Sequence, residues 1–158
     1  PFLFTGTVES NITLNRPWIS SEDARQALIE VGGGAFLARL GKGMQTPVRE
    51  RGSEFSAGER QLISFARALA QNPTILILDE ATSHIDTETE AIIQHGIERL
   101  SKGRTTLIIA HRLSTIRHAN KIYVLDQGEI VEKGSHAQLM EKNGIFAHMV
   151  ETQTRLAR

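Results

Sequence analysis

The chain has 158 residues, 40% hydrophobic and 23% charged, the composition of one ordinary globular domain with its own core. Its 18 Lys and Arg offset its 18 Asp and Glu, which excludes a net field drawing it to nucleic acid or to an anionic bilayer. The absence of Cys excludes a disulfide framework and thiol chemistry and favours a reducing compartment; no apolar stretch approaches the ~20 residues of a membrane span, and the N-terminus lacks the pattern of a signal peptide.

The opening string PFLFTGTVESNITL carries no initiator Met and begins with apolar residues in the pattern of an interior strand or turn, so a piece of a longer polypeptide is expected. Next, Ser20 with Asp23 gives a capping signal, and Ala24, Leu28 and Val31 share one face; a short amphipathic helix stopped by Gly32 to Gly34 is predicted. A loop rich in Gly, Pro and charge runs from Gly41 to Glu54. It leads into FSAGERQLISFARALAQNP, where Ser56 and Glu59 have the S-x-x-E spacing of a capping box and Leu62, Phe65, Ala66 and Leu69 form a buried stripe, with Pro73 closing the helix. Trp18 is expected to pack.

From Thr74 the pattern alternates between strand and helix. TILILD and TTLIIA are continuous apolar runs joined by a helical segment from Thr87 to Leu100, with Thr87 and Glu90 as its capping pair, so the spacing predicts a βαβ unit. A short helical piece follows Arg112. KIYVLD, a turn at Gly128 and EIVEKG come next, and Ser135 with Gln138 caps a final helical region broken at Asn143–Gly144. This half is expected to hold a mostly parallel sheet flanked by helices.

The apolar run ILILD ends in adjacent carboxylates, Asp79 and Glu80. Moving a carboxylate out of water costs several kcal/mol unless it is paired or binds a metal, so the end of this strand reads as a site. Ligands of open α/β sheets bind beyond the carboxyl ends of strands, and Ala110–His111 ends the next run. An acid pair with a His at adjacent strand ends suits phosphate-ester chemistry: one carboxylate holds Mg²⁺ through water, the second polarises an attacking water, and the His hydrogen-bonds a terminal phosphate. No G-x-x-x-x-G-K-[ST] string occurs, and His84, His95, His118, His136 and His148 lack metal-ligand spacing and read as surface or capping residues.

Taken in series, FSAGERQ, then ILILDEATSHID, then IIAHRLSTI resemble the signature, Walker-B, D-loop and H-loop motifs of ABC ATPase domains. The flanks PFLFTGTVESNI, TPVRERGSEFS and VLDQGEIVEKGSHAQLM are similar to those of ABC exporters. The resemblance covers nearly the whole chain. It implies an α/β fold: a truncated, P-loop NTPase-like parallel sheet with flanking helices, plus a helical subdomain at residues 1–72, with residues 73–158 as the C-terminal part of the ATPase core. It further implies ATP and Mg²⁺ as cofactors. Asp79 would hold Mg²⁺ through water, Glu80 would be the catalytic carboxylate and His111 the γ-phosphate switch. Ser83 and Asp86 would make the D-loop contact across a dimer, and Ser56, Ala57, Gly58 and Glu59 would meet the nucleotide held by the opposite subunit. Glu50 would face the transmembrane part. The implied partners are a second nucleotide-binding domain, identical or different, and a transmembrane domain of the same parent chain, with no nucleic acid; the implied place is the cytoplasmic face of the cell membrane. These residues alone are expected to be inactive.

The signature departs from the usual L-S-G-G-Q, reading Phe55-Ser56-Ala57-Gly58-Glu59. A carboxylate near phosphate is repulsive on the order of kcal/mol, unless Glu59 folds back onto the Ser56 N–H as a capping box. With Glu80 and His111 intact, the pattern is similar to one half of a heterodimeric exporter. Two other functions fit parts of the sequence: a soluble ABC ATPase acting in DNA repair or chromosome maintenance, and a serine hydrolase, since Ser56, Asp86 and His111 follow the Ser…Asp…His order, although Glu54 stands where the nucleophile elbow needs Gly.

Overall fold

A computed structural model describes residues 1–79, 87–110 and 116–156. Among the described residues the chain divides into two compact units, one formed by residues 1–78 with the segment from residue 87 to 107, the other by Asp79 with the residues from 108 onward. Helices and short two-stranded sheets make an α/β architecture.

In the first unit, β1 (Gly6–Thr7) pairs antiparallel with β2 (Pro47–Val48). Between them lies α1 (Val8–Thr13), with Thr7 and Ser10 closing a capping box. This helix is hidden in the sequence, because six residues rich in β-branched side chains carry no helical periodicity. The next helix, α2 (Ser21–Leu28), starts as predicted at Ser20, whose hydroxyl accepts the Asp23 N–H. The glycine run kinks the chain instead of ending helical structure. Ile29–Gly33 forms a π-turn with Gly32 at φ 92°, and α3 (Gly34–Arg39) continues from it. A Cβ on Gly33 would lie 2.7 Å from the Leu28 carbonyl oxygen, so the kink needs glycine there.

The long helix α4 (Ala57–Ala70) is the spine of this unit, burying Leu62, Ile63, Phe65, Ala66 and Leu69 against α1, α2 and α5 (Thr87–Ser101). Gly96 of α5 lets the two helices meet: a Cβ there would stand 2.8 Å from the Phe65 ring. On the opposite side, Asn11 of α1 is buried and its amide nitrogen donates to the Phe4 and Thr7 carbonyls at 2.8 and 3.0 Å. Its Oδ1 accepts from Phe4 N at 2.8 Å and from Arg67 Nη2 at 3.0 Å. Arg67 also donates to the Asn11 and Phe2 carbonyls and lies over the Phe4 ring. Trp18 departs from the expected packing. It is 70% exposed, and its ring carries Arg16, itself held by Gln71.

The strands β3 (Ile75–Asp79) and β4 (Thr105–Ile109) pair with each other. Both read as fully buried strands, yet Ile75, Ile77 and Leu107 are each more than half exposed. A continuous apolar run is satisfied only when layers cover both faces, and among the described residues only one face is covered.

The second unit is built on the hairpin β5 (Ile122–Asp126) and β6 (Glu129–Gly134), antiparallel with an irregularity at Val124/Leu125. Its two-residue turn, Gln127–Gly128, has both φ angles positive, the type that matches strand twist. Helix α6 (His136–Lys142) starts at the Ser135–Gln138 capping box and ends at Asn143 in the left-handed region; α7 (Ile145–Leu156) follows. Ile122, Leu139 and Phe146 form the core. Of the histidines read as surface or capping residues, His95, His118 and His148 are exposed. His136 opens α6 and stacks edge-on against Phe146, while His84 lies outside the described residues.

Glu132 of β6 is buried, and its carboxylate accepts the first N–H groups of α7, Ile145 at 3.1 Å and Phe146 at 2.9 Å. The helix thus starts on a carboxylate supplied by the hairpin, a favourable charge at a helix N-terminus. A Cβ on Gly144 would lie 1.9 Å from Glu132 Oε1. Gly144→Ala is therefore expected to destabilise the protein by about 2 kcal/mol, through loss of charge-assisted hydrogen bonds in a buried setting. Glu132→Ala should cost a similar amount, and the double variant should cost less than the sum; an additive result in urea denaturation would sink this account.

Candidate functional site

The signature is assembled by three neighbouring pieces of the first unit. Phe55 is buried and its ring meets Phe36 of α3 edge-on, 5.6 Å between centroids at 87°, a favoured aromatic geometry. The preceding loop turns tightly at Gly52, with φ 65°, where a Cβ would strike Leu3 at 2.7 Å. Arg49 N donates to Glu54 Oε1 at 2.8 Å, and the Arg60 guanidinium donates to the Phe55 carbonyl. Ser56 leaves this loop with extended φ and ψ and becomes the N-cap of α4.

Glu59 folds back, as the capping-box spacing requires. Its Oε2 accepts the Ser56 N–H at 2.8 Å while the Ser56 hydroxyl accepts the Glu59 N–H at 3.2 Å. Its other oxygen, Oε1, accepts Arg39 Nη2 at 3.0 Å. Both carboxylate oxygens are thus engaged, one by the backbone and one by a cation from α3.

Ser56 and Ala57 are exposed, and Gly58 is buried. The N–H groups of Ala57 and Gly58 fall in the first turn, where an α-helix has no carbonyl to offer them. An exposed hydroxyl beside first-turn N–H groups at the positive end of a 14-residue helix fits a phosphate oxygen. The structure brings Ser56, Ala57, Gly58 and Glu59 together in one turn. Asp79 stands exposed at the end of β3, where a carboxylate can hold Mg²⁺ through water. Among the described residues no group of three acidic or His side chains could hold a metal ion. Glu80, Ser83, Asp86 and His111 lie outside the described residues.

Phe36 and Arg39 are the site residues that sequence reasoning missed. Each touches the signature across about twenty positions of chain, and neither belongs to a motif. The only available signal was their i, i+3 spacing, which puts both on one helix face.

A family model described as ABC transporter matches residues 2–83, just over half of the chain. The chain belongs to the ABC transporter family. It is 56% identical over 153 residues to a "probable multidrug resistance ABC transporter ATP-binding/permease protein" of Bacillus subtilis, covering 97% of this chain and 23% of that protein. It is 54% identical over 152 residues to an uncharacterized ABC transporter ATP-binding protein of the same organism, covering 96% of this chain and 25% of that one. A solved bacterial Atm1-family ABC exporter with ATP bound superimposes with a TM-score of 0.84 at 42% identity, over 96% of this chain and 27% of the exporter chain. The chain therefore spans about a quarter of the length of these relatives. No helix among the described residues is long and apolar enough to cross a membrane. Family membership displaces the serine-hydrolase reading, and Ser56 serves α4 as a cap, not as a nucleophile on an elbow.

Proposed function

We propose that these residues are part of the ATP-hydrolysing domain of an ABC exporter, in which ATP-driven pairing of two such domains powers transport. The observation that carries this reading is the signature turn: the exposed Ser56 and Ala57 at the head of α4, whose first-turn N–H groups have no carbonyl within the helix, in a chain similar to an exporter with ATP bound. Names of transport proteins among the relatives favour export over the DNA-repair alternative.

In this reading residues 1–72 are the helical, signature-bearing subdomain and residues 73–158 the C-terminal part of the core. Ser56, Ala57, Gly58 and Glu59 form the surface met by the nucleotide of the opposite domain. Asp79 holds Mg²⁺ through water, and Glu80 orients and deprotonates the attacking water. His111 donates a hydrogen bond toward the terminal phosphate, and Ser83 with Asp86 bridges the two domains. When bound, Mg²⁺ supplies neutralisation of the charge that develops on the phosphates. The partners are a second domain of this kind, identical or different, and a transmembrane domain of the same polypeptide, which places the assembly at the cytoplasmic face of a membrane. The activity is assigned to the full polypeptide, since the 158 residues contain no G-x-x-x-x-G-K-[ST] string.

Two capping serines test the reading against each other. Ser56 and Ser135 both close capping boxes, so Ser56→Ala and Ser135→Ala should each lower stability by about 1 kcal/mol. Only Ser56→Ala should also weaken ATP-dependent domain pairing, read by ATP titration of cross-linking in the full-length protein. Equal pairing in the two variants would refute the assignment.

A further inference from the structure

Helix α3 approaches the signature at two points on one face. Phe36 packs edge-on against Phe55, and Arg39, one turn later, donates to Glu59 Oε1 at 3.0 Å. Phe36 and Phe55 are both buried, so their contact fixes where α3 lies. Arg39, by contrast, is largely exposed, with its side chain at 68%, while the Glu59 side chain is only 23% exposed. An exposed ion pair contributes little to stability, about 0–1 kcal/mol. Its consequence lies in the charge at the head of α4.

Without Arg39, a formal negative charge would stand at the third position of α4, next to the N–H groups that the site reading offers to phosphate. With Arg39, that charge is paired, and both oxygens of Glu59 are held: Oε2 by the Ser56 N–H and Oε1 by the guanidinium. The backbone bond alone leaves Oε1 free to face a phosphate oxygen. The ion pair closes that option.

We propose that Arg39 is a positioning residue for nucleotide at the signature: it neutralises Glu59 and holds it back, so that a signature bearing a carboxylate can accept a triphosphate. This rests on the signature being the nucleotide-facing surface. It also assigns a role to α3, which no motif marks: Phe36 sets the place of the signature loop and Arg39 sets its charge.

The experiment is steady-state ATPase of the full-length protein at low and high salt, with Arg39→Ala, Arg39→Lys, Ser56→Ala and the double variant Arg39→Ala/Glu59→Gln. Arg39→Ala is expected to raise KM for ATP about fivefold to tenfold at low salt, with kcat within about twofold, because the exposed like-charge interaction it uncovers acts on binding and is screened by ions. The defect should shrink at high salt, Arg39→Lys should keep most of the wild-type KM, and Glu59→Gln should rescue Arg39→Ala. Lost packing of an arginine stem would show neither salt dependence nor rescue, and either absence would overturn the proposal. If Arg39→Ala leaves KM unchanged while Ser56→Ala impairs turnover, the positioning role is wrong and the site reading stands. If both leave ATP kinetics unchanged, the site reading itself has failed, and the proposal with it.

Discussion

Replacing Glu80 by glutamine is expected to lower ATP turnover of the full-length protein by about 10²–10⁴-fold, the range over which a positioned general base acts. Glutamine preserves size and can still hydrogen-bond a water, but it cannot take up its proton. The loss should therefore fall on kcat, with KM for ATP little changed. Asp79→Asn makes the contrast. Asp79 is the last residue of β3 and exposed, so weakening it should appear as a raised Mg²⁺ requirement that excess metal partly overcomes. Excess Mg²⁺ should do nothing for Glu80→Gln. Measuring both variants across a Mg²⁺ titration separates the roles of two adjacent carboxylates. A Glu80→Gln enzyme that keeps more than half its turnover would show that these carboxylates serve the fold and not the chemistry.

The parts of this protein that were legible in the sequence are those with local physics. Ser20–Asp23, Ser56–Glu59 and Ser135–Gln138 each announce a helix start by spacing alone, and each closes the reciprocal bonds that the spacing predicts. The stripe of α4 follows from 3.6-residue periodicity, and Leu62, Phe65, Ala66 and Leu69 are buried accordingly. The hairpin at Gly128 is announced by its turn chemistry.

What stayed hidden depends on contacts that neither periodicity nor capping spacing encodes. The glycine run at Gly32–Gly34 reads as a stop, because positive φ and helix propensity are local arguments; its use as a kink depends on Leu28 crowding Gly33. Trp18 reads as packing because tryptophan usually buries area, yet it takes a guanidinium on its face in the open. The fold-back of Glu59 onto the Ser56 N–H is legible in the capping-box spacing, whereas the Arg39 guanidinium on its other oxygen is not. At the head of α4 the Ser56–Glu59 capping spacing was legible and its electrostatic setting was not, since charge compensation across twenty residues leaves no periodic trace.

Asn11→Leu is the substitution expected to cost the most stability, about 3 kcal/mol, because it fills the same space while removing a buried amide that satisfies four part-buried polar groups. Asn11 is 1% exposed and uses its amide fully: two donations to the Phe4 and Thr7 carbonyls, and acceptance from Phe4 N and Arg67 Nη2. Leucine would leave those part-buried partners without their amide and would remove one anchor of Arg67. That guanidinium is half-buried, and burial pushes it below its ordinary pKa; its desolvated charge is compensated by the oxygen acceptors around it. Asn11→Asp should cost less. It keeps the oxygen that receives Phe4 N and adds an opposite charge beside Arg67, while setting a second oxygen against the Phe4 and Thr7 carbonyls. Urea denaturation should rank the variants wild type, Asn11→Asp, Asn11→Leu, with unchanged m-values. The segment from Phe2 to Thr7 is tied to α1 and α4 through Asn11 and Arg67, so hydrogen exchange should rise there first in Asn11→Leu. A loss below about 1 kcal/mol, within the range of an ordinary surface substitution, would mean that water replaces the amide without penalty and that Arg67 alone staples this segment to the helix that carries the signature.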